Sequence, residues 1–140
     1  MKVLFDTNVV LDVLLARAPH ADVAAQLFNL VDRGRIQGVL CATTITTIHY
    51  LATKAAGRRA AKKHIQELMT MFEIAPVDNE VLAQAIEIDL PDYEDAVLHE
   101  AARAAGVAGI VTRNAKDFRG AKLPVFSPKE LLSGIVASES

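Results

Sequence analysis

Three aspartates stand where the chain passes from one predicted element to the next, and together their side chains could perform metal-dependent chemistry. Asp6 follows an apolar run, and Asp95 and Asp117 each open a new element later in the chain. If strand ends bring the three carboxylates to one edge of a sheet, their mutual repulsion raises a pKa. A hard divalent ion, which prefers oxygen ligands, relieves that repulsion. Such an ion also activates water and neutralises charge on a phosphodiester.

The residues around Asp6 predict a buried strand that runs into a helix. Residues 3–5 form an apolar run too short for a helix, and Asp6, Thr7 and Asn8 interrupt it with small polar side chains. Apolar residues then recur at helical spacing over residues 9–14, so we expect Thr7 or Asn8 to cap this helix. Asp6 then lies at the carboxyl end of the strand, where open α/β sheets bind ligands. A lone aspartate there is more often only part of a cap, and it is the other two acids that favour catalysis.

The chain has the length and composition of one globular domain, which we expect to span residues 1–140. It has 140 residues, of which 51% are hydrophobic and 23% charged. The single cysteine, Cys41, excludes an internal disulfide framework and a cysteine-based metal cluster, and it fits a reducing compartment. Neither a signal peptide nor a membrane span is recognisable, so we expect a cytoplasmic protein with no membrane partner.

The charged residues are strongly segregated along the sequence, although the net charge is only −2. Residues 33–66 carry seven Lys or Arg and no acid, whereas residues 65–102 carry ten acids and no Lys or Arg. Residues 103–129 then carry six Lys or Arg beside the single acid Asp117. This pattern predicts an acidic pocket with basic flanks. Basic flanks of this kind hold a nucleic-acid strand through its phosphates.

Strands and helices alternate through the rest of the sequence. Apolar runs predict strands over residues 38–41, 73–77, 107–111 and 122–127. Helical spacing predicts helices over residues 20–31, 43–54, 58–72, 78–88 and 92–105, and from Pro128 onward with fraying after Val136. Pro76 favours an edge position for the third strand, and Asp78 and Asp92 are predicted N-caps. Strands separated by helices indicate a parallel sheet with right-handed crossovers and helices on both faces.

Several of these motifs, taken in order, resemble the PIN-domain family, in particular its single-domain members that include the VapC-like toxins. The resemblance rests on the strand before Asp6-Thr7-Asn8, on Asp95-Ala96 at the start of an alanine-rich helix, and on residues 112–118 and 124–128. It implies an α/β fold, specifically a PIN-like α/β/α sandwich with a central parallel sheet of four to five strands. It also implies a Mg²⁺- or Mn²⁺-dependent endoribonuclease, often the toxin of a type II toxin–antitoxin pair.

On this resemblance the chain keeps three of the family's catalytic and metal-binding acids, namely Asp6, Asp95 and Asp117. The family usually has a Glu early in the helix after the second strand, where this chain has Thr47 or a neighbour. Asn114 stands where many members have Asp. The site therefore has fewer carboxylates than the family pattern, and Glu94 or Asp92 is a candidate to compensate.

Other polar residues are candidates to bind RNA, and they fall into two groups. The residues beside the predicted site are Asn8, Thr47, Arg113 and Asn114, and those on the basic face of the helix over residues 58–72 are Arg58 and Arg59. A basic helix face of this kind is more often simply a solvated surface. We expect Asp12 to be a solvated helix acid and see no pattern of partners around His99. An antitoxin, which the resemblance implies, and a second copy of the chain are further expected partners.

Two other classes of function fit parts of the sequence. A non-catalytic RNA- or protein-binding module could keep a PIN-like fold after losing part of the acidic site. A phosphotransfer enzyme or receiver domain could use Asp6 as the phosphoryl acceptor. Haloacid-dehalogenase-like phosphatases have an acid two residues after that nucleophile, where this chain has Asn8, so this class ranks last.

Overall fold

The computed structural model describes residues 1–139, and its five strands form one sheet in which every neighbouring pair runs parallel. The strands are β1 Lys2–Phe5, β2 Gln37–Cys41, β3 Glu73–Ala75, β4 Gly109–Val111 and β5 Val125–Phe126. Their order across the sheet is β3-β2-β1-β4-β5, so the strand that precedes Pro76 is an edge strand, as predicted.

This strand order creates a switch point between β1 and β4. The chain first builds outward from β1 through β2 and β3, and it then crosses to β4 and β5 on the other side. Crossovers leave in opposite directions at such a point, which opens a crevice at the carboxyl ends of the strands. Phe5 of β1 pairs with Val111 of β4, so the residues that follow them, Asp6 and Thr112, meet at this crevice.

Seven α-helices and one short 3₁₀ helix occur within residues 1–139, and all of them except α7 lie between strands. The α-helices are α1 Thr7–Leu14, α2 Ala21–Asp32, α3 Ala42–Ala56, α4 Arg58–Met71, α5 Asn79–Glu87, α6 Tyr93–Ala104 and α7 Pro128–Glu139, and the 3₁₀ helix is Ala115–Phe118. None of these helices combines the length and apolar character needed to cross a bilayer.

The sheet separates two hydrophobic cores because successive strand residues point to opposite faces. Val3 and Phe5 face α1, α2, α3, α4 and α7, whereas Leu4 faces α5 and α6. In the first core Phe5 packs edge-to-face on Phe28 and Phe72, with ring centroids 5.9 and 5.3 Å apart. Helices therefore cover both faces of the parallel sheet, and the predicted α/β/α sandwich is confirmed.

Helix α6 packs on the sheet with three alanines among its seven buried residues. Ala96, Ala101 and Ala102 are each almost fully buried, and small side chains allow the helix backbone to approach the strands. Asp92 caps this helix by accepting a hydrogen bond from the backbone N–H of Asp95 at 3.0 Å, as predicted. The cap and the alanine face together fix the first turn of α6, which carries Asp95.

Several element boundaries differ from the sequence prediction. Residues 107 and 108 precede β4 because the Val107 N–H bonds to Ala102 in the turn that closes α6. Residues 122–124 precede β5, since the Lys122 N–H donates to the His99 ring instead of to a strand. The predicted fraying after Val136 is wrong, because α7 continues to Glu139, whose carboxylate forms an ion pair with Arg35 at 2.5 Å.

Candidate active site

Asp6 is held rigidly at the switch point by both of its carboxylate oxygens. Oδ1 accepts a hydrogen bond from the backbone N–H of Thr7 at 2.7 Å, and Oδ2 accepts one from the Thr112 hydroxyl at 2.8 Å. Asp6 itself, in extended conformation, is therefore the N-cap of α1. The prediction that Thr7 or Asn8 caps this helix is wrong, because the side chain that reaches the free N–H group belongs to the preceding residue.

Asn8 connects the loop after β1 to the loop after β4. Its amide nitrogen lies 3.3 Å from both Asp6 Oδ2 and the Thr112 hydroxyl oxygen, and its carbonyl oxygen accepts the backbone N–H of Arg113 at 3.2 Å. The Thr112 hydroxyl oxygen also accepts the backbone N–H of Asn114 at 3.0 Å. Asn8 thus uses both ends of its amide within the protein and fixes the two loops relative to each other.

Asp95 and Asp117 bring two more carboxylates to the same edge of the sheet. Asp95 is half-buried in the first turn of α6, and Asp117 is half-buried in the 3₁₀ helix that follows β4. Each interacts electrostatically with Asp6, and they interact with each other. The structure therefore assembles the three acids that the sequence singled out.

The crowding of these acids shows in their pKa values. Burial raises the pKa of Asp6, and the charges of Glu94 and Asp117 add to the increase, although hydrogen bonds to Asp6 oppose it. Burial, and after it the charge of Asp6, raises the pKa of Asp95 to about 7. The remaining charges that raise it are those of Asp92, Asp117 and Glu94. Asp95 can therefore gain or lose a proton near neutral pH.

A cleft of about 360 Å³ opens over Asp6 and Asp95, and Asp117 lies outside its lining. Its lining comprises Asp6, Thr7, Asn8, Leu11, Arg17, Asp92, Glu94, Asp95, Arg113 and Asn114. The lining contains four acids and two arginines, and the arginines stand beside the polar network around Asp6. We call this space the acidic cleft.

The donor chemistry of the acidic cleft suits a hard divalent cation. Carboxylate oxygens are the ligands that Mg²⁺ and Mn²⁺ prefer, and a nearby cation would reverse the repulsion that raises the pKa of Asp95. Among residues 1–139, however, no three His, Cys, Asp or Glu side chains are grouped so as to hold an ion between them. One or two carboxylates with several waters is the usual arrangement around Mg²⁺ in proteins.

Next to the cleft lies an ion-pair cluster centred on Asp12, whose side chain the sequence predicts to be solvated. Asp12 is 0% exposed. Its Oδ1 accepts from Arg17 Nε at 2.9 Å, and its Oδ2 accepts from Arg113 Nε at 2.5 Å. The expectation of a solvated side chain is therefore wrong. The available signal was the four-residue spacing from Asn8, which places both side chains on one face of α1.

The sequence matches the PIN domain, as a family, over residues 2–116. The chain belongs to the PIN-domain family. Ribonuclease VapC1 of Aquifex aeolicus (strain VF5) is 24% identical over 134 residues, which cover 92% of each chain. This confirms the resemblance to VapC-like members.

Solved structures share the fold of this PIN domain. VapBC2 from Rickettsia felis, bound to a DNA fragment from their promoter, matches with a TM-score of 0.72 at 15% identity, over 91% of this chain and 98% of that chain. A toxin–antitoxin complex from Klebsiella pneumoniae matches with a TM-score of 0.68 at 23% identity, over 90% and 97% of the respective chains. At these identities the two structures support the fold.

This chain has threonines at the start of α3, where PIN domains usually have a Glu. The hydroxyl oxygen of Thr44 lies 3.0 Å from that of Thr7, which lines the acidic cleft, although Thr44 is itself buried outside the lining. Thr47 is half-buried one turn further along α3 and is not part of the cleft lining. A pair of neutral hydroxyls thus stands next to the acids in this part of the PIN domain.

The other predicted RNA-binding residues are divided by the fold. Arg113 and Asn114 line the acidic cleft, as their position after β4 suggested. Arg58 and Arg59 are exposed at the start of α4 and do not line it. The structure therefore brings the loop residues to the site and leaves the basic end of α4 apart from the cleft lining.

His99 also has partners that the sequence analysis did not find. It is fully buried, its Nδ1 lies 2.7 Å from Glu100 Oε2, and its Nε2 accepts the backbone N–H of Lys122 at 3.0 Å. Because Nε2 accepts, Nδ1 carries the proton and donates to the carboxylate. This contact fastens the segment after the 3₁₀ helix to α6, and hence Asp117 to the element that carries Asp95.

Proposed function

We propose that this PIN domain is a Mg²⁺- or Mn²⁺-dependent endoribonuclease that hydrolyses phosphodiester bonds and acts as the toxin of a toxin–antitoxin pair. The observation that carries this proposal is the electrostatic coupling of Asp6, Asp95 and Asp117 at the switch point of the sheet. The name of the curated relative, a ribonuclease, supports the activity, and the solved toxin–antitoxin complex supports the biological setting. We further propose that residues 1–140 act as one domain.

The three acids have different roles in this proposal. Asp6, fixed by Thr7 and Thr112, is the rigid ligand, and Asp95 is the second ligand. Asp117 holds a water or joins as a third ligand. When bound, the divalent ion supplies an activated water and neutralises charge on the phosphodiester. In the protein without the ion, burial and the neighbouring acids raise the pKa of Asp95 to about 7; a bound ion would oppose this increase, so Asp95 would bind it as the carboxylate.

Positively charged residues at the cleft would orient the RNA. Arg17 and Arg113 line the acidic cleft and can contact phosphates on either side of the cleaved bond. Arg58 and Arg59 are proposed as a weaker, more distant contact, because they are exposed and outside the cleft lining. Substituting both with Ala should weaken RNA binding across sequences and reduce its salt dependence, with little change in turnover at saturating RNA.

A cleavage assay with a varied RNA pool tests the proposal. The purified protein should cut single-stranded RNA when Mn²⁺ or Mg²⁺ is present and stop when a chelator removes the ion. An antitoxin co-expressed from a neighbouring gene should suppress the cleavage. If RNA is bound but never cut with either ion, the protein is instead a non-catalytic binding module.

A further inference from the structure

A second cavity adjoins the acidic cleft on the other side of Arg113. It encloses about 320 Å³, and its lining comprises Pro19, His20, Val23, Arg113, Ser127, Pro128 and Lys129. We call it the cationic cavity. Arg113 belongs to the lining of both spaces, so one side chain stands between them. A ligand that extends from the acidic cleft past Arg113 would therefore enter the cationic cavity.

The lining of the cationic cavity differs in charge from that of the acidic cleft. It contains Arg113, Lys129 and the titratable His20, and it contains no acid. Its other walls are mainly the apolar side chains of Pro19, Val23 and Pro128, joined by the Ser127 hydroxyl. The volume lies at the lower end of the range of about 300–1,000 Å³ that is typical of small-molecule sites. Such a lining suits a ligand with an anionic group attached to a flat, largely apolar part.

Two residues of α1, Asn8 and Asp12, hold Arg113 in place. Asn8 accepts the backbone N–H of Arg113 at 3.2 Å, and Asp12 accepts from its Nε and Nη2 at 2.5 and 3.2 Å. Within residues 1–139 its Nη1 donates to no protein group. Asp12 also pairs with Arg17, so one buried carboxylate lies between two guanidiniums. Nη1 of Arg113 therefore remains available to donate to an anionic ligand.

We propose that the cationic cavity binds the nucleotide next to the cleaved phosphodiester of a single-stranded RNA. Arg113 and Lys129 hold its phosphate, and Pro19, Val23 and Pro128 contact the face of its base. The strand must be unpaired, because a base can enter a cavity only after leaving the stack. The inference rests on the proposed function, since it assigns part of the substrate to this cavity. Asp12 then acts as a positioning residue, because it orients Arg113 without reaching the RNA.

Nuclear magnetic resonance of the ¹⁵N-labelled protein tests the assignment without turnover. The probe is adenosine 5′-monophosphate, added in the presence of a chelator. We expect a saturable shift of the backbone signals of Val23 and Lys129. Lys129→Ala should weaken this binding about tenfold, as expected for one charge-assisted contact. Val23→Phe should abolish it by filling the cavity. The matched control Lys122→Ala, which removes an exposed lysine outside the cavity lining, should bind like the wild type.

Several results would overturn the assignment. One is the absence of any shift at Val23 and Lys129, and another is unchanged binding in Lys129→Ala and Val23→Phe variants whose spectra show a native fold. If inorganic phosphate alone binds there as tightly as the nucleotide, the cavity is a simple anion site. If a short polyglutamate peptide binds there more tightly than the nucleotide, the cavity is a protein contact.

The cleavage assay separates this inference from the proposed function. Lys129→Ala and Val23→Phe should raise KM for RNA about tenfold and leave kcat nearly unchanged, because the site binds substrate and transition state alike. Wild-type cleavage with unchanged KM in both variants contradicts the cavity assignment and leaves the nuclease intact. Nucleotide binding in the cavity of a protein that cuts no RNA contradicts the nuclease and leaves the cavity assignment intact.

Discussion

At the scale of single residues, the site is defined by buried carboxylates that lie close to other charged groups. The pKa of Asp95 reaches about 7 because burial and then Asp6 disfavour its charged form. Asp12 shows the opposite solution, since two arginines surround its buried carboxylate. The first arrangement is poised to take up a proton or a cation, whereas the second is already neutralised.

The raised pKa of Asp95 predicts a pH-dependent stability. A carboxyl whose pKa is higher in the folded than in the unfolded protein destabilises the fold as pH rises from about 4 to about 7. Asp95→Asn cannot ionise at this position, so the variant avoids the loss of stability. At about pH 8 the Tm of the variant should therefore exceed that of the wild type by about 3 °C, after allowance for solvent screening of the half-exposed carboxyl. Near pH 4 the two Tm values should agree. Thermal denaturation of the wild type and the variant at the two pH values measures this difference, with the exposed Glu67→Gln as a control that should show none. Equal Tm values for wild type and Asp95→Asn at both pH values would contradict the raised pKa of Asp95.

The buried position of Asp12 predicts a large loss of stability on substitution. Asp12→Asn leaves Arg17 and Arg113 without their counter-charge; because both arginines are partly exposed, the loss should be about 2 kcal/mol, below the about 3 kcal/mol or more typical of a fully buried pair. Urea denaturation should show this loss, whereas the exposed Asp22→Asn should change the free energy of unfolding by about 0.5 kcal/mol or less. A loss of that smaller size in Asp12→Asn would mean that the cluster contributes little to the fold.

At the scale of elements, the N-termini of two helices position the acids of the site. The side chain of Asp6 begins α1 and that of Asp92 begins α6, so two helix caps determine where the acids lie. Apolar spacing between neighbouring residues could predict both helices and the Asp92 cap, but it placed the cap of α1 one or two residues too late. It could not predict the 3₁₀ helix or the segment before β5, since these depend on distant contacts such as the one between His99 and Lys122.

The cap of α6 offers a prediction that separates shape from charge. Asp92→Ala removes both the cap and a charge near Asp95, whereas Asp92→Asn keeps the cap and removes only the charge. The Ala variant should lose about 1 kcal/mol of stability, and the Asn variant only a few tenths. Both should lower the pKa of Asp95, which a carboxyl NMR titration follows. Equal stability of the two variants would show that the cap does not hold the first turn of α6.

At the scale of the whole molecule, acidic and basic segments that are separate in the sequence line different parts of two adjoining spaces. The acidic segment supplies Asp92, Glu94 and Asp95 to the cleft, and the basic segment after it supplies Arg113 and Lys129 to the two adjoining spaces. The sequence predicted an acidic pocket with basic flanks and favoured Arg113 over Arg58 and Arg59, because Arg113 follows a predicted strand end. Arg113 lines the cleft, whereas Arg58 and Arg59 lie outside its lining, which the sequence alone could not show.

The open arrangement of carboxylates predicts weak binding of Mg²⁺ by the free protein. With no preformed group of three ligands among residues 1–139, the ion should bind only at millimolar concentrations and gain affinity when RNA phosphate adds oxygens. At ten times its Kd, Mg²⁺ should add about 1.4 kcal/mol of stability. Calorimetry measures the affinity for Mg²⁺, and a thermal-shift assay measures the stabilisation. Asp6→Asn should show neither Mg²⁺ binding nor stabilisation by Mg²⁺. Micromolar binding to the free protein would indicate a closed site.

The central claim, that the acids at the switch point make this PIN domain a ribonuclease, is tested most directly by Asp6→Asn. RNA cleavage with Mn²⁺ and RNA binding are measured on the same preparation, with the exposed Asp32→Asn as the matched control. We expect Asp6→Asn to lose cleavage by on the order of 100-fold or more while it still binds RNA and keeps its fold. The control should cut like the wild type. Cleavage by Asp6→Asn at the wild-type rate would contradict the account.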